Sequence, residues 1–458
     1  MHTHLSLYGI AVGSLLLAKL LLSLPLRRRP PAAFREGPPL TVHAVITVYN
    51  ESPDMLRRCL RSLLGQTRRP DSLTVIDDCS KTRDAQAVTE ELRARFTAAG
   101  IALELIRFPV NRGKRHGLAA GFKARPDADV YLCVDSDTVL DIDAVAELLR
   151  PLARRRVMCV TGLVLANNRT RNLLTRLIDM RYVNAFLGER VAYSRLGSVL
   201  CACGSLVVYR GWVVRKHLDD FLGQTFLGKP ATFGDDRRLT YYCLTEGQSL
   251  IQPAAVGRTD VPERLGHYAR QQVRWGKSFF REGLLLAAQL RLVCRAFWWL
   301  NLVELVTWLA FTAALLAALV VVAVHPAGWT ILAAYTGYVC AMAWLRSVHY
   351  LRRAPGVPFR DRIGTFAAAP LYALLNLVML LPLRLYSLAT LRRNGWGTRQ
   401  NGAEIALVNP AASLPDDDTL QIPRIPVAKL LDPDTETTLT LPIPRQRTAT
   451  PQPEGTLR

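Results

Sequence analysis

Long apolar runs set the first limit on what this chain can fold into. Phe297 to Val324 is a stretch of this kind, broken at His325-Pro326, and Trp329 to Leu345 is a second, ended by Arg346, Arg352 and Arg353. Thr365 to Leu391 is a third, interrupted by Pro370, Pro382 and Arg384, so it can span, lie at the interface or re-enter. Near the start, Leu5 to Leu26 carries only Lys19 as a charge and ends in Arg27-Arg28-Arg29. About twenty apolar residues suffice to cross a bilayer. A cleaved signal peptide has a shorter apolar core, with its basic residues on the N-terminal side. An N-terminal membrane helix is therefore expected, and the positive-inside rule puts the arginines and the chain beyond them in the cytoplasm. Trp298, Trp299, Trp308 and Trp329 sit near segment ends, as an interfacial belt would.

Between these runs the pattern changes. From Val42 to about Ile251, short β-rich runs alternate with helical stretches. Val42–Val48, Leu73–Ile76, Leu103–Phe108 and Tyr131–Val134 read as strands, and Asp54 to Gly65 reads as a helix capped by Ser52 or Asp54. Such alternation predicts a doubly wound, mostly parallel α/β sheet. Glu263 to Glu282 reads as a basic, aromatic amphipathic helix. The expected domains are 1–29, an N-terminal span with its basic flank; 40–262, a cytoplasmic α/β domain; 263–295, interfacial helices; 296–400, a membrane region; and 401–458, a Pro- and Thr-rich disordered tail. Pro30 to Pro39 reads as a linker.

With 458 residues and a formal charge of +21, the chain can bury a large core and carries a basic surface. Its arginines are scattered, and no zinc-finger or RNA-binding signature is present, which argues against nucleic acid. Membrane phospholipid and anionic substrates remain. Nine cysteines without a C-x-x-C pair point to reduced thiols in a cytosolic region.

Several strands end in polar residues, at the sheet edge where open α/β folds bind ligands. Asp135-Ser-Asp137 can hold a divalent cation against a nucleotide diphosphate, or be an acidic turn. Asp77-Asp78 can accept hydrogen bonds from a nucleobase or ribose, or form an ordinary turn. Lys114 and Arg115, after Gly113, suit a pyrophosphate; a solvated basic turn is the plain alternative. Gly234-Asp-Asp-Arg-Arg-Leu-Thr240 opens a helix whose N-terminus would keep both carboxylates at low pKa. One of them can be a general base, or both can simply cap the helix. In Gln271-Gln-Val-Arg-Trp275, residues Gln271, Arg274 and Trp275 share one helix face. That face suits a diphosphate beside a stacked sugar, or a membrane anchor.

Together these motifs, in this order and spacing, resemble the processive, membrane-embedded family 2 glycosyltransferases, the group of cellulose, chitin and hyaluronan synthases. The resemblance covers roughly Leu5 to Arg399. The stretches Arg181–Phe186, Gln224–Gly228, Gly234–Thr240, Arg274–Glu282 and Trp396–Arg399 are most similar to the bacterial integral-membrane hyaluronan synthases. The resemblance implies a GT-A domain joined to a polymer channel in the plasma membrane. It implies UDP-GlcNAc and UDP-GlcA as donors and Mg²⁺ or Mn²⁺ as cofactor. Asp77 and Asp78 would contact uridine, and Lys114 the diphosphate. Asp135 and Asp137 would bind nucleotide and metal. Asp236 would be the general base, supported by Asp235, with Arg237 in the same motif. Gln271, Gln272, Arg274 and Trp275 would hold diphosphate and acceptor sugar, and Trp396 and Arg399 would lie in a cytoplasmic segment near the site.

Relatives commonly carry two N-terminal spans where this chain shows one, and usually stop soon after the Trp-Gly-Thr-Arg motif. The nearest rival reading is a chitin or chitin-oligosaccharide synthase using UDP-GlcNAc alone. A non-catalytic membrane scaffold would not need every acid in place. A glycoside hydrolase would need neither a diphosphate clamp nor spans.

Overall fold

The computed structural model describes residues 2–24, 39–231, 234–324 and 328–393. Trp396, Arg399, the arginines 27–29, nearly all of the expected linker and the tail from 401 lie outside the described residues.

Among the described residues ten strands form in chain order: β1 (Val42–Val48), β2 (Ser72–Asp77), β3 (Ala102–Arg107), β4 (Val130–Asp135), β5 (Val139–Leu140), β6 (Val157–Ala166), β7 (Leu206–Arg210), β8 (Thr225–Phe226), β9 (Lys229–Pro230) and β10 (Gln248–Thr259). Eight of them make one sheet in the order β3-β2-β1-β4-β7-β6-β10-β5, and β8 pairs with β9 in a separate hairpin. The strands β3, β2, β1 and β4 run parallel, as do β6 and β10. Strand β7 lies antiparallel between β4 and β6, and β5 antiparallel against β10.

Alternation along β1 explains the two layers. Ala44, Ile46 and Val48 pack with Leu56, Leu60 and Leu63 of the helix Pro53–Leu64 and with Val88, Leu92 and Phe96 of the helix Asp84–Ala98. Val45, on the opposite face, packs with Leu118 and Phe122 of the helix Lys114–Ala124. The chain runs outward from β1 through β2 to β3, then returns to place β4 on the other side of β1. That reversal creates the crevice at the strand ends where such folds bind ligands.

Among the described residues, three helices are long and apolar enough to cross a membrane: Ala296–Ala317, Gly328–Arg353 and Ala369–Ala389. The third is helical throughout, with a π-turn at Asn376–Leu380, so its prolines do not break it. The N-terminal helix His2–Ser23 packs on the second, with Tyr338 Oη donating to the Gly9 carbonyl at 2.7 Å and Ser23 Oγ 2.7 Å from His349 Nε2. The amphipathic helix Leu265–Ala287 joins both parts of the molecule. Ser387 Oγ donates to its Val273 carbonyl at 3.2 Å, and Asn301 Nδ2 to its Gly283 carbonyl at 3.0 Å. Of the tryptophans expected in an interfacial belt, Trp299 and Trp329 are exposed. Trp298 and Trp308 are buried instead, Trp308 edge-on to Phe280 at 4.5 Å. Hydropathy places a tryptophan along a helix but not on the helix's packed side.

Candidate active site

The register of the sheet brings the acids together. Asp135 ends β4 opposite Thr47 of β1, while Val134 pairs with Leu206 of β7. The Asp135 carboxylate therefore sits between two loops. Lys114 Nζ donates to its Oδ1 at 2.5 Å, and Ser205 Oγ, just before β7, donates to Oδ2 at 2.6 Å. Asp137 accepts from Thr259 Oγ1 at the end of β10 at 3.1 Å. Burial opposes the Lys114 charge, yet Asp135 and Asp236 outweigh it and hold the ammonium above its usual value.

One cavity of about 920 Å³ collects the polar groups at this end of the sheet. Asp78, Lys114, Asp135, Asp137, Asp235, Asp236 and Arg237 line it, with Gln271, Gln272, Arg274 and Trp275 from the amphipathic helix. It continues among the apolar helices, past Thr307, Phe311, Tyr338 and Asn376. Trp275 lies 6.3 Å from the Tyr182 ring and is about half exposed.

Asp78 lies just beyond β2, and the loop after β3 folds around it. It accepts from Arg112 N at 2.7 Å, Gly113 N at 2.8 Å and Asn111 Nδ2 at 3.0 Å. Burial raises its pKa against those donors. Asp77 does not join it. The side chain is fully buried, bound to Arg107 at 2.6 Å and to the Ser80 amide at 2.9 Å, and it does not line the cavity. The expectation that Asp77 touches uridine is corrected to that of a strut between β2 and β3.

The helix Asp235–Glu246 starts at Gly234, whose φ of 95° favours glycine. A Cβ there would stand 2.6 Å from Ser278 Oγ, so the helix start is pressed against the amphipathic helix. Asp235 turns inward to Arg115 Nε at 2.7 Å, and both side chains are nearly fully buried. Asp236 turns the other way and accepts from the Gly204 amide at 3.0 Å. The low pKa expected from the helix terminus is not found for Asp236. Burial raises it, Asp135 and Asp235 add to the rise, and Lys114 and the Gly204 amide only partly offset them.

Among the described residues no group of three or more His, Cys, Asp or Glu side chains converges as a metal cage. The donors that fit a cation are Asp135 and Asp137, which suits an ion that takes one or two carboxylates and completes its shell with phosphate and water.

Glycosyl transferase family 2 matches residues 43–218, and glycosyl transferase family group 2 matches residues 131–383. The chain belongs to glycosyl transferase family 2. This glycosyltransferase is 38% identical to a hyaluronan synthase of Streptococcus pyogenes over 398 residues, 86% of this chain and 90% of that one. It is 35% identical to an N-acetylglucosaminyltransferase of Mesorhizobium japonicum over 384 residues, 82% and 86% of the two chains. A mannosyltransferase from Pyrobaculum calidifontis, solved with GDP-Man and Mn²⁺, shares the GT-A fold at a TM-score of 0.53 and 19% identity, over 81% of this chain and 99% of that one. The enzyme is thus a GT-A glycosyltransferase of the membrane.

The motifs of this transferase did not reveal Ser205, Gly204 or Thr259, which set the positions of Asp135, Asp236 and Asp137. Each acts from an element distant in sequence. Only the placement of Ser205 and Thr259 at the ends of short β-rich runs could have marked them.

Proposed function

We propose that this glycosyltransferase polymerises hyaluronan from UDP-GlcNAc and UDP-GlcA and extrudes it through its own membrane helices. The observation that carries this reading is the continuity of the cavity from Asp135 and Asp236 to the faces of the apolar helices. Similarity to hyaluronan synthases over most of the chain supports the choice of polymer. Residues 40–262 form the cytoplasmic catalytic domain, 263–295 the interfacial helices and 296–400 the channel region. The enzyme sits as a multi-pass protein in the plasma membrane, with lipid around its spans.

Asp78 holds the uridine, and Lys114 lies along the diphosphate. Asp135 and Asp137 would hold Mg²⁺ or Mn²⁺, and the ion would supply positive charge against the diphosphate leaving group. Lys114 and Arg274 add positive charge where negative charge grows. Gln271, Gln272 and Trp275 position the acceptor sugar, and Arg237 borders it. Asp236 takes the proton of the attacking hydroxyl. A carboxylate raised above its usual pKa is a stronger base, and its amide bond to Gly204 keeps it aimed. One base opposite the leaving group gives a single displacement, so α-linked donors yield β-linkages. Asp235, held by Arg115, fixes the helix that carries the base.

Purified enzyme supplied with each donor singly and together tests this. Polymer only with both donors, digested by hyaluronidase and abolished by EDTA until Mg²⁺ or Mn²⁺ is restored, is expected. Hyaluronidase-resistant product from UDP-GlcNAc alone would refute the reading in favour of a chitin-type synthase, the rival that the N-acetylglucosaminyltransferase relative favours. Loss of polymer in a folded Asp236→Asn variant excludes a scaffold.

A further inference from the structure

The amphipathic helix turns one stripe toward the catalytic domain. Trp275, Ser278 and Glu282 stand at i, i+3 and i+7, so they share a face. Trp275 borders the cavity. Ser278 abuts Gly234, where a Cβ would stand 2.6 Å from its Oγ. Glu282 is 6% exposed and does not line the cavity. Its carboxylate meets the chain on both sides of Gly234-Asp235-Asp236. Upstream, Gln224 at the foot of the β8–β9 hairpin donates from Nε2 to Oε1 at 2.6 Å. Downstream, the Arg238 guanidinium, one turn into the helix Asp235–Glu246, stands 3.6 Å from Oε2. Arg281 Nε is 3.7 Å from Oε1. Gln224 and Arg281 are buried, and Arg238 is 13% exposed. Elsewhere the same helix is tied to the spans, through Phe280 against Trp308 and through Ser387 Oγ on the Val273 carbonyl. Buried ion pairs add little net stability, because desolvation cancels much of their attraction; their best-attested use is to fix one packing register.

The geometry points to Glu282 as a positioning residue for sugar transfer. It clamps the segment that carries Asp236 to the helix that carries Trp275, and so sets the distance from the general base to the acceptor sugar. The inference rests on the roles proposed above for Asp236 and Trp275. The donor is held by Asp78 and Lys114 on other elements, so the clamp does not act on donor binding. Released from each other, base and acceptor platform shift independently, and a fraction of an ångström is lost in rate rather than in donor affinity. Removing Glu282 does not strand Arg238, which keeps Asp220 at 2.9 Å and Tyr242 Oη at 2.9 Å.

UDP release by the full-length enzyme in lipid nanodiscs, with direct UDP binding alongside, tests the clamp. Glu282→Ala should lower kcat roughly tenfold while donor KM and UDP Kd stay within about twofold. Glu282→Gln keeps an oxygen for Gln224 and should lose less. Gln224→Ala, which frees the upstream contact alone, should fall between the wild type and Glu282→Ala. The decisive measurement is a cycle with the base: in an Asp236→Asn background, Glu282→Ala should cost less than about twofold. A roughly tenfold loss in that background as well, a kcat within about twofold of wild type for Glu282→Ala, or UDP affinity falling in step with kcat would overturn the clamp. Gln224→Ala carries the same cycle if Glu282→Ala does not fold, and additive losses there overturn it equally. Wild-type turnover in Asp236→Asn instead refutes the base assignment on which the clamp rests.

Discussion

Gly204→Ala should separate activity from stability. The Gly204 amide donates to Asp236 Oδ2 at 3.0 Å, and a Cβ built at Gly204 would stand 2.4 Å from Asp236 Oδ1. Real Cβ contacts essentially never fall below 3.0 Å, so something must move, and the free end of the Asp236 side chain is the part that moves most easily. Yielding there costs little folding energy. The same shift, however, takes the base off its line to the acceptor hydroxyl. Proton transfer needs heavy atoms about 2.6–3.2 Å apart, and a displacement approaching 1 Å costs on the order of 100-fold in rate, or about 2.7 kcal/mol of transition-state stabilisation. The expected result is a kcat about 100-fold lower by UDP release, with unchanged donor KM because Asp78 and Lys114 are untouched. The thermal midpoint should match the wild type. A Gly204→Ala/Asp236→Asn double variant should be no slower than Asp236→Asn alone. A kcat within about threefold of wild type would refute the assignment of Asp236 as an aimed base.

Two further perturbations act on buried charge. Asp179, 2% exposed, has its pKa pushed up to about 6 by burial, against the Ala166 amide and Arg169. Its native carboxyl thus holds a proton more tightly than the unfolded chain does, so its stabilising contribution is full below about pH 4 and lost as pH rises through about 6. Asp179→Asn should raise stability by about 2–3 kcal/mol at pH 8 and by little at pH 4; a gap in thermal midpoint that does not widen with pH would refute this. Arg115→Met strands the buried Asp235 carboxylate and should cost about 3–5 kcal/mol, most of it recovered by adding Asp235→Leu. Equal midpoints for the wild type and the single variant would show that the pair is not an internal strut.

What the sequence disclosed depended on whether the signal was local. The strand-helix alternation from Val42 onward, the apolar runs and the acids at strand ends are local patterns, and they carried the mostly parallel α/β sheet and the membrane helices, while the GT-A fold came from the family resemblance. The antiparallel insertion of β7 was not legible, because Leu206–Arg210 is a short apolar run whose direction is fixed only by its partners β4 and β6. Arg115 was read with Lys114 as suiting a pyrophosphate, and Asp235 as a support of the general base, whereas the two bind each other across 120 positions of sequence.

The role of Asp77 could have been read from spacing alone. Successive side chains of an extended segment point to opposite sides, and those two apart share a side. Asp77 and Asp78 are adjacent, so at the end of a strand their side chains start toward opposite sides. Asp77 stays in register with Arg107 inside the sheet, while Asp78 turns into the cavity. Asp135 and Asp137 are two apart, and both line the cavity. In the helix, Asp235 and Asp236 differ by about 100° around the axis, given 3.6 residues per turn. Both border the cavity, but one carboxylate accordingly locks onto Arg115 while the other accepts from the Gly204 amide. Two of the three acidic pairs divide by geometry: Asp77 and Asp235 bind Arg107 and Arg115, while Asp78 and Asp236 accept from backbone amides at the cavity wall.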